Sequence, residues 1–115
     1  MFIANMKLRI EDNTLRLRLS EEEVQEFGQK GRVSVTVKLG PKPSDQLVYS
    51  LEHSPNPEAT TLKVVYAVGA LDVQVPRNLA AEWVSTDRLG FSDSIAVTPD
   101  QQLRVLVEKD LDCKH

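Results

Sequence analysis

The stretch that decides the fold is residues 7–27, which read KLRIEDNTLRLRLSEEEVQEF. Apolar and charged residues alternate in its first half, and this period of two predicts half-buried strands over residues 7–10 and 15–19. Residues 11–14 between them are typical of turns, so the two strands are expected to form a hairpin.

A short helix is predicted directly after this hairpin. Ser20 and Glu23 have the spacing of a capping box, in which the serine side chain and the glutamate side chain each bind the backbone of the other residue. The buried face and the end of the helix are predicted by two apolar residues and two glycines: Val24, Phe27, Gly28 and Gly31. Alternation resumes over residues 33–39 and 47–51, which predicts two further strands.

The same pattern recurs 56 residues later, because residues 6–57 align with 62–113 without a gap. Apolar residues align with apolar residues along this register, for example Phe27 with Trp83 and Val35 with Phe91. We interpret the pattern as a duplication. The alternative is that two segments share a pattern because the pattern is common.

The second unit has its own turn and helix signals. Strands are predicted over residues 62–66 and 71–75, with a turn near Gly69, and over 90–97 and 102–108. Pro76 is placed at the first helical position, where its missing N–H costs nothing. The predicted buried stripe of the helix is Leu79, Ala80 and Trp83.

These elements predict an α+β fold in a single domain over residues 1–115. Two β-β-α-β-β repeats, about 6–53 and 62–109, are joined by residues 54–58 and related by a pseudo-twofold axis. Because each unit is too small to bury enough surface alone, we expect a shared antiparallel sheet or partly open barrel with two short helices. The predicted core is Leu17, Leu19, Val24, Phe27, Val35, Tyr49, Val73, Val75, Leu79, Trp83, Val105 and Val107.

Composition excludes several classes of protein. The chain has 115 residues, of which 41% are hydrophobic and 27% charged, and its net charge is −3. These values argue against a disordered tail, a disulfide scaffold and a strongly basic nucleic-acid binder. The start of the sequence does not have the pattern of a signal peptide, and Cys113 is the single cysteine. We therefore expect a cytoplasmic protein that does not enter membranes.

The repeat unit resembles the swapped-hairpin units of AbrB- and MazE-like regulators. The likeness depends on a proline that opens a short helix and on apolar residues at fixed distances after it: Val75-Pro76, Leu79 and Trp83, with Ser20 and Phe27-Gly28 in the first unit. This resemblance implies interleaved hairpins and, in many members, DNA binding. The loops here are longer and the net charge is acidic.

The whole chain is similar to a family of short uncharacterised bacterial proteins. Its most specific part is the final stretch Val107-Glu108-Lys109-Asp110-Leu111-Asp112-Cys113. Family members usually have an aromatic residue in place of Leu111 and a longer acidic tail after the cysteine. The resemblance implies no established activity.

A basic face is predicted on the first hairpin. If the leucines point inward, Lys7, Arg9, Arg16 and Arg18 point outward together, with Arg9 opposite Arg16 and Lys7 opposite Arg18. Such a face could bind the phosphates of a nucleic acid. The alternative is neutralisation by solvent or by acids such as residues 21–23, Asp45 or Glu52.

Two further sites are hypotheses of different kinds. Val65 and Leu106 are apolar on faces assigned to solvent, which indicates either a partner surface such as a homodimer or strands buried on both faces. Asp110, Cys113 and His115 could hold a soft divalent metal, but the alternative is a free thiol on a solvated tail.

Catalysis finds little support in the sequence. No phosphate-binding loop, nucleophile elbow or His-Glu-x-x-His motif is present. One catalytic hypothesis is a dyad of His53 with Cys113. Another is a carboxylate pair of Glu52 with Glu108, for which the alternative is that both are surface charges at strand ends. We therefore predict a non-catalytic protein-interaction or regulatory module without a cofactor. The alternatives are nucleic-acid binding through the basic hairpin and metal binding near the C-terminus.

Overall fold

The part of the chain that the structure describes folds into eight strands and two helices. The structure is a computed structural model that describes residues 6–110. Its elements are β1 (Lys7–Glu11), β2 (Thr14–Leu19), α1 (Glu21–Lys30), β3 (Arg32–Lys38), β4 (Gln46–His53), β5 (Lys63–Ala67), β6 (Ala70–Val75), α2 (Arg77–Ser85), β7 (Gly90–Thr98) and β8 (Gln101–Lys109). The predicted α+β class and the order β-β-α-β-β, found twice, are therefore confirmed.

The strands form two separate sheets of four. Sheet A has the order β1-β2-β8-β7, and sheet B has the order β3-β4-β6-β5. The central pairs, β2 with β8 and β4 with β6, are parallel, while the outer pairs are antiparallel. The prediction of one shared antiparallel sheet is therefore wrong, and the strands within residues 6–110 do not close into a barrel. The physical reason is that each helix carries the chain from one sheet to the other. Each hairpin therefore pairs with a hairpin from the other half of the chain, β1–β2 with β7–β8 and β3–β4 with β5–β6.

Strand registers in the two sheets are related by the 56-residue offset. Lys7 pairs with Arg18 in β1–β2, and Lys63 pairs with Gln74 in β5–β6. The parallel pairs follow the same rule, since Thr14 pairs with Arg104 while Val48 pairs with Ala70.

The register of β7 departs from this offset. Val33 pairs with Leu51 in β3–β4, whereas Phe91 pairs with Val107 in β7–β8. Phe91 therefore corresponds to Val33, at an offset of 58, and the gapless alignment of Val35 with Phe91 is wrong. The loop between α2 and β7 is longer than the link between α1 and β3, and this extra length moves the register.

The first helix begins as predicted. The Ser20 side chain accepts a hydrogen bond from the Glu23 backbone N–H at 3.3 Å, and the Ser20 N–H donates to Glu23 Oε1 at 3.0 Å. Gly31 ends the helix with φ of 77°, in the left-handed region that glycine tolerates. Gly28, predicted to end the helix, lies inside it. A Cβ at this position would lie 2.6 Å from Val84 Cγ1, so Gly28 permits the close approach of α1 to α2.

The second helix starts one residue later than predicted. Pro76 is its N-cap, and the helix proper begins at Arg77. Pro76 still suits this place because the N-cap requires no backbone N–H of its own.

The core lies between the inner faces of the sheets and the two helices. Phe27 and Trp83 meet there with ring centroids 5.9 Å apart, and Trp83 meets Phe91 at 5.4 Å. All the predicted core residues are buried except Val35 and Leu79, which are half-buried against the core. The buried cluster also contains Met6, Val33, Leu51, Leu62, Ala80 and Phe91.

The two ends of the molecule differ. Because β2 is parallel to β8 and β4 to β6, the two turns of each sheet lie at the same end of that sheet. The four turns share one end of the molecule because α1 packs against α2 at Gly28 and Val84, and strand residues of both sheets beside the turns line a common cleft. The helices follow β2 and β6 and therefore lie at the other end. We call these the turn end and the helix end.

Candidate interaction site

An apolar cleft of about 400 Å³ opens between the two sheets and extends toward the turn end. We call it the tip cleft. Its walls are the side chains of Leu8, Ile10, Leu15, Leu47, Val64, Tyr66, Leu71, Ile95, Val97 and Leu103. The hydroxyl of Tyr66 is the one polar side-chain group among these ten residues. The tip cleft can therefore bind apolar groups but offers few hydrogen bonds to orient them.

Alternation along the strands builds this cleft. In β2, Leu15, Leu17 and Leu19 all point to the inner face of sheet A. Leu17 and Leu19 lie nearer the helix end and are fully buried in the core, whereas Leu15 reaches the cleft. Because both helices pack at the helix end, the inner faces of the strands remain accessible near the turns.

Several large apolar side chains at this end are exposed to solvent. Ile10 is 61% exposed, Tyr66 71% and Val97 54%. Leu39 and Val68, in the turns beside the cleft, are also exposed. A group of exposed apolar side chains around one cleft marks an interaction site more often than isolated exposed residues do.

The two halves of the chain contribute equivalent positions to the cleft. Eight of the ten residues form pairs at the 56-residue offset: Leu8/Val64, Ile10/Tyr66, Leu15/Leu71 and Leu47/Leu103. Of the remaining two, Ile95 corresponds through the β7 offset of 58 to Val37, which is exposed, whereas Val97 lies where the β7–β8 register shifts between Ala96 and Thr98. Both sheets therefore present an apolar inner face at the turn end.

Charges of opposite sign lie on the turns of the two sheets. The turns of sheet A carry Glu11, Asp12 and Asp100, which we call the acidic rim. The end of β3 and the loop after it carry Lys38 and Lys42, which we call the basic rim. Asp45 lies in the same loop, where its carboxylate accepts the Lys42 backbone N–H at 3.0 Å.

The basic face of the first hairpin has the predicted geometry. Lys7 pairs with Arg18 and Arg9 with Arg16, and all four side chains lie on the outer face of sheet A. Each of the four lies within 4.0 Å of a carboxylate. Lys7 lies 2.9 Å from Asp110, and Arg9 lies 3.7 Å from Glu11. Arg16 lies 3.4 Å from Glu108, while Arg18 lies 3.7 Å from Glu108 and 4.0 Å from Asp110.

The acids that pair with this face are not those expected from the sequence. Residues 21–23, Asp45 and Glu52 are elsewhere, whereas Glu108 lies on β8, the strand beside β2, and Asp110 follows it directly. The parallel pairing of β2 with β8 is a long-range contact that local pattern does not predict. Nucleic-acid binding through this face stays a prediction.

The predicted metal site falls largely outside the described residues. Asp110 is buried and forms ion pairs with Lys7 and Arg18. Cys113 and His115 lie beyond residue 110. Within residues 6–110, no three His, Cys, Asp or Glu side chains are grouped so that they could hold a metal ion.

The structure tests only one of the two catalytic pairings that the sequence offers, since Cys113 lies outside the described residues. His53 packs edge-on against Phe27 with centroids 4.6 Å apart, and burial, followed by the nearby Arg77 charge, lowers its pKa. Its proposed partner Cys113 lies outside the described residues. Glu52 and Glu108 do not face each other, because they lie on the outer faces of different sheets, where Glu52 meets Arg32 and Glu108 meets Arg16.

Glu52 instead belongs to a polar cluster on the outer face of sheet B. Arg32 Nη1 donates to Glu52 Oε1 at 2.9 Å and lies 3.6 Å from Asp72 Oδ1. Ser50 donates to Asp72 at 2.8 Å, and Gln74 donates to both carboxylates at 3.2 Å. A hydrogen bond with Asp72, together with burial, raises the pKa of Glu52.

A second cavity, of about 550 Å³, lies at the helix end. It is lined by a mixture of apolar and charged residues, namely Glu21, Val24, Gln25, Val84, Thr86, Asp87, Leu89 and Lys109. Lys109 is held there by a 2.7 Å hydrogen bond from its Nζ to the Thr86 carbonyl.

Neither cavity is predicted by the sequence pattern. Of the two apolar residues that alternation places on outer faces, Val65 is exposed and Leu106 is half-buried. The residues of the tip cleft were missed because period-two alternation assigns them to the interior. The signal that could have found them is the length of the apolar strands, which exceeds what two short helices can cover.

Comparison with known proteins gives a family whose function is unknown. A family model described as "Family of unknown function (DUF7009)" matches residues 6–115. No curated protein and no solved structure matches the chain. Among the described residues, neither helix has the length and apolar character needed to cross a membrane.

Proposed function

We propose that this chain, which belongs to DUF7009, a family of unknown function, is a protein-interaction module that binds a protein partner in the tip cleft and catalyses no reaction. The observation that carries the proposal is the exposure of Ile10, Tyr66 and Val97 around an apolar cleft. Burying such side chains contributes about 25 cal/mol per Å² of apolar surface.

The chemistry of the cleft favours a protein over a small ligand. Sites for small molecules combine apolar walls with a few polar groups that fix the orientation of the ligand. The tip cleft offers one hydroxyl, that of Tyr66, for this purpose. Apolar side chains of a partner need no such group, because the partner's own fold orients them.

Duplication of the chain is part of the same proposal. We infer that residues of about 6–53 and 62–109 are copies related by a pseudo-twofold axis. The proposal is supported by the shared 56-residue offset of the β1–β2 and β5–β6 registers and of the two parallel pairs. It places the tip cleft on that axis, because the two inner faces contribute equivalent residues.

A cytoplasmic location in a bacterium is also proposed. The single cysteine supports this location, because a chain that lacks a second cysteine can form no internal disulfide.

Photo-crosslinking tests the proposal even though the partner is unidentified. Tyr66 is replaced by p-benzoylphenylalanine in the full chain, which is then irradiated in the cells that produce it. A matched control carries the same group at Ser34, an exposed residue of β3 outside the cleft. Adducts are identified by mass spectrometry.

We expect position 66 to give a discrete protein adduct that position 34 does not give. Equal labelling at both positions, or no protein adduct at position 66, would contradict the proposal. The crosslinked peptide identifies the partner, including the case of a second copy of this chain.

A further inference from the structure

We infer that the partner in the tip cleft is a second copy of this chain. In the inferred dimer the two copies meet turn end to turn end about a twofold axis. The acidic rim of each copy then lies against the basic rim of the other. This inference rests on the proposed function and names the partner for the same cleft.

Charge complementarity is the first argument. Glu11, Asp12 and Asp100 lie on the turns of sheet A, while Lys38 and Lys42 lie on the turn side of sheet B. A twofold axis that brings two turn ends together can place sheet A of one copy against sheet B of the other. Each such contact then occurs twice, as an isologous interface requires. Asp45 keeps its charge among the lysines while it accepts the Lys42 backbone N–H, and Glu11 of the acidic rim lies 3.7 Å from Arg9, so each rim carries a smaller net charge than its named residues alone.

The apolar surface is the second argument. Leu39 on the basic side and Val97 on the acidic side are both exposed, at 69% and 54%; Val97 lines the tip cleft, and Leu39 directly follows β3 at the turn end. In the dimer, Leu39 of one copy approaches Val97 of its partner. An exposed apolar patch that is always present requires a partner that is always present, because otherwise it promotes aggregation. A second copy meets this condition.

Two charge-reversed variants test the arrangement. In the first, Lys38→Glu and Lys42→Glu make both rims acidic. In the second, Glu11→Lys and Asp100→Lys make both rims basic. All four residues are exposed, so both variants are expected to fold, which far-ultraviolet circular dichroism verifies. Molar mass is measured by light scattering at about 0.1 M ionic strength, where charges interact over about 10 Å.

The wild-type chain is expected to have twice the 12.9 kDa mass of one chain. Each variant alone is expected to have the mass of one chain, because rims of like charge face each other. Mixing the two variants in equal amounts is expected to restore the doubled mass, since each rim then meets its opposite. A further variant, Val97→Asp, is expected to be monomeric and to stay so in either mixture.

Wild-type protein of single-chain mass would overturn the inference, and so would variants whose mass does not change on mixing. These results leave the proposed function intact if Tyr66 crosslinks to a different protein. Failure of the crosslink at position 66 would instead remove both.

Discussion

At the scale of single residues, equivalent positions on the outer faces of the two sheets carry opposite charges: where sheet A has Arg16, sheet B has Asp72. Glu108 on β8 lies within 3.7 Å of Arg16 and Arg18. The residue 56 positions earlier, Glu52, instead meets Asp72, which takes the place of Arg16. The outer face of sheet A thus pairs an acid with bases, whereas that of sheet B brings two acids together.

The pairing of acids in sheet B predicts a pH-dependent stability. A hydrogen bond with Asp72 raises the pKa of Glu52 above its ordinary 4.5, so the folded state binds this proton more tightly than the unfolded chain does. The contribution of the pair is therefore full below pH 4.5 and falls as the pH rises through the raised value. Arg32 and Gln74, which also face Glu52, offset part of the repulsion.

Asp72→Asn is expected to remove this pH dependence, because an amide in its place has no charge. The unfolding free energy of the variant, relative to wild type, should increase between pH 4.5 and about pH 7 in urea titrations. Asp100→Asn, in an exposed turn, serves as the matched control. A difference that is constant with pH, or that decreases, would contradict the assignment.

At the scale of elements, local pattern predicted the strands and helices well. The capping box of Ser20 and Glu23 and the left-handed Gly31 follow from local backbone chemistry, which sequence reports directly. Gly28 was misjudged because its role is a contact with Val84 on the other helix. Such a contact depends on packing that no local signal reports.

Gly28→Ala is expected to destabilise the protein, although alanine favours helices by about 0.5–1 kcal/mol over glycine. The new methyl group would lie 2.6 Å from Val84 Cγ1, and overpacking of this kind costs about 1–3 kcal/mol. The double variant with Val84→Ala should recover stability relative to Gly28→Ala, because it makes room for the methyl group. Thermal unfolding measures both effects. If Gly28→Ala raises the melting temperature, the two helices do not pack tightly at this position.

At the scale of the whole molecule, the sequence pattern does not predict which strands pair with one another. Alternation assigns a residue to one face of a strand but does not say which strand lies beside it. The parallel pairs β2–β8 and β4–β6 join residues far apart in the chain, and they divide the strands into two sheets. The tip cleft could not be predicted for the same reason. Alternation gives its residues the inward orientation of core residues, and only the arrangement of both sheets distinguishes the two.

The exchange of hairpins between the sheets predicts the behaviour of half-molecules. Each sheet contains one hairpin from either half, so fragments 1–57 and 58–115 are expected to be poorly folded when separate. An equimolar mixture should form a complex whose circular dichroism exceeds the sum of the separate spectra. Fragments that each show native-like spectra alone, with no change on mixing, would mean that the halves are independent domains.

The most direct measurement of whether the tip cleft is a covered surface is hydroxyl-radical footprinting of Tyr66 in intact producing cells. Tyr66 is 71% exposed in the single chain, and Leu89, which is 59% exposed at the helix end, calibrates the radical dose. We expect Tyr66 to oxidise several-fold more slowly in the wild type than in the Val97→Asp variant, whose cleft no longer accepts an apolar partner. Equal oxidation rates in the two proteins, after calibration on Leu89, would contradict a partner in the cleft.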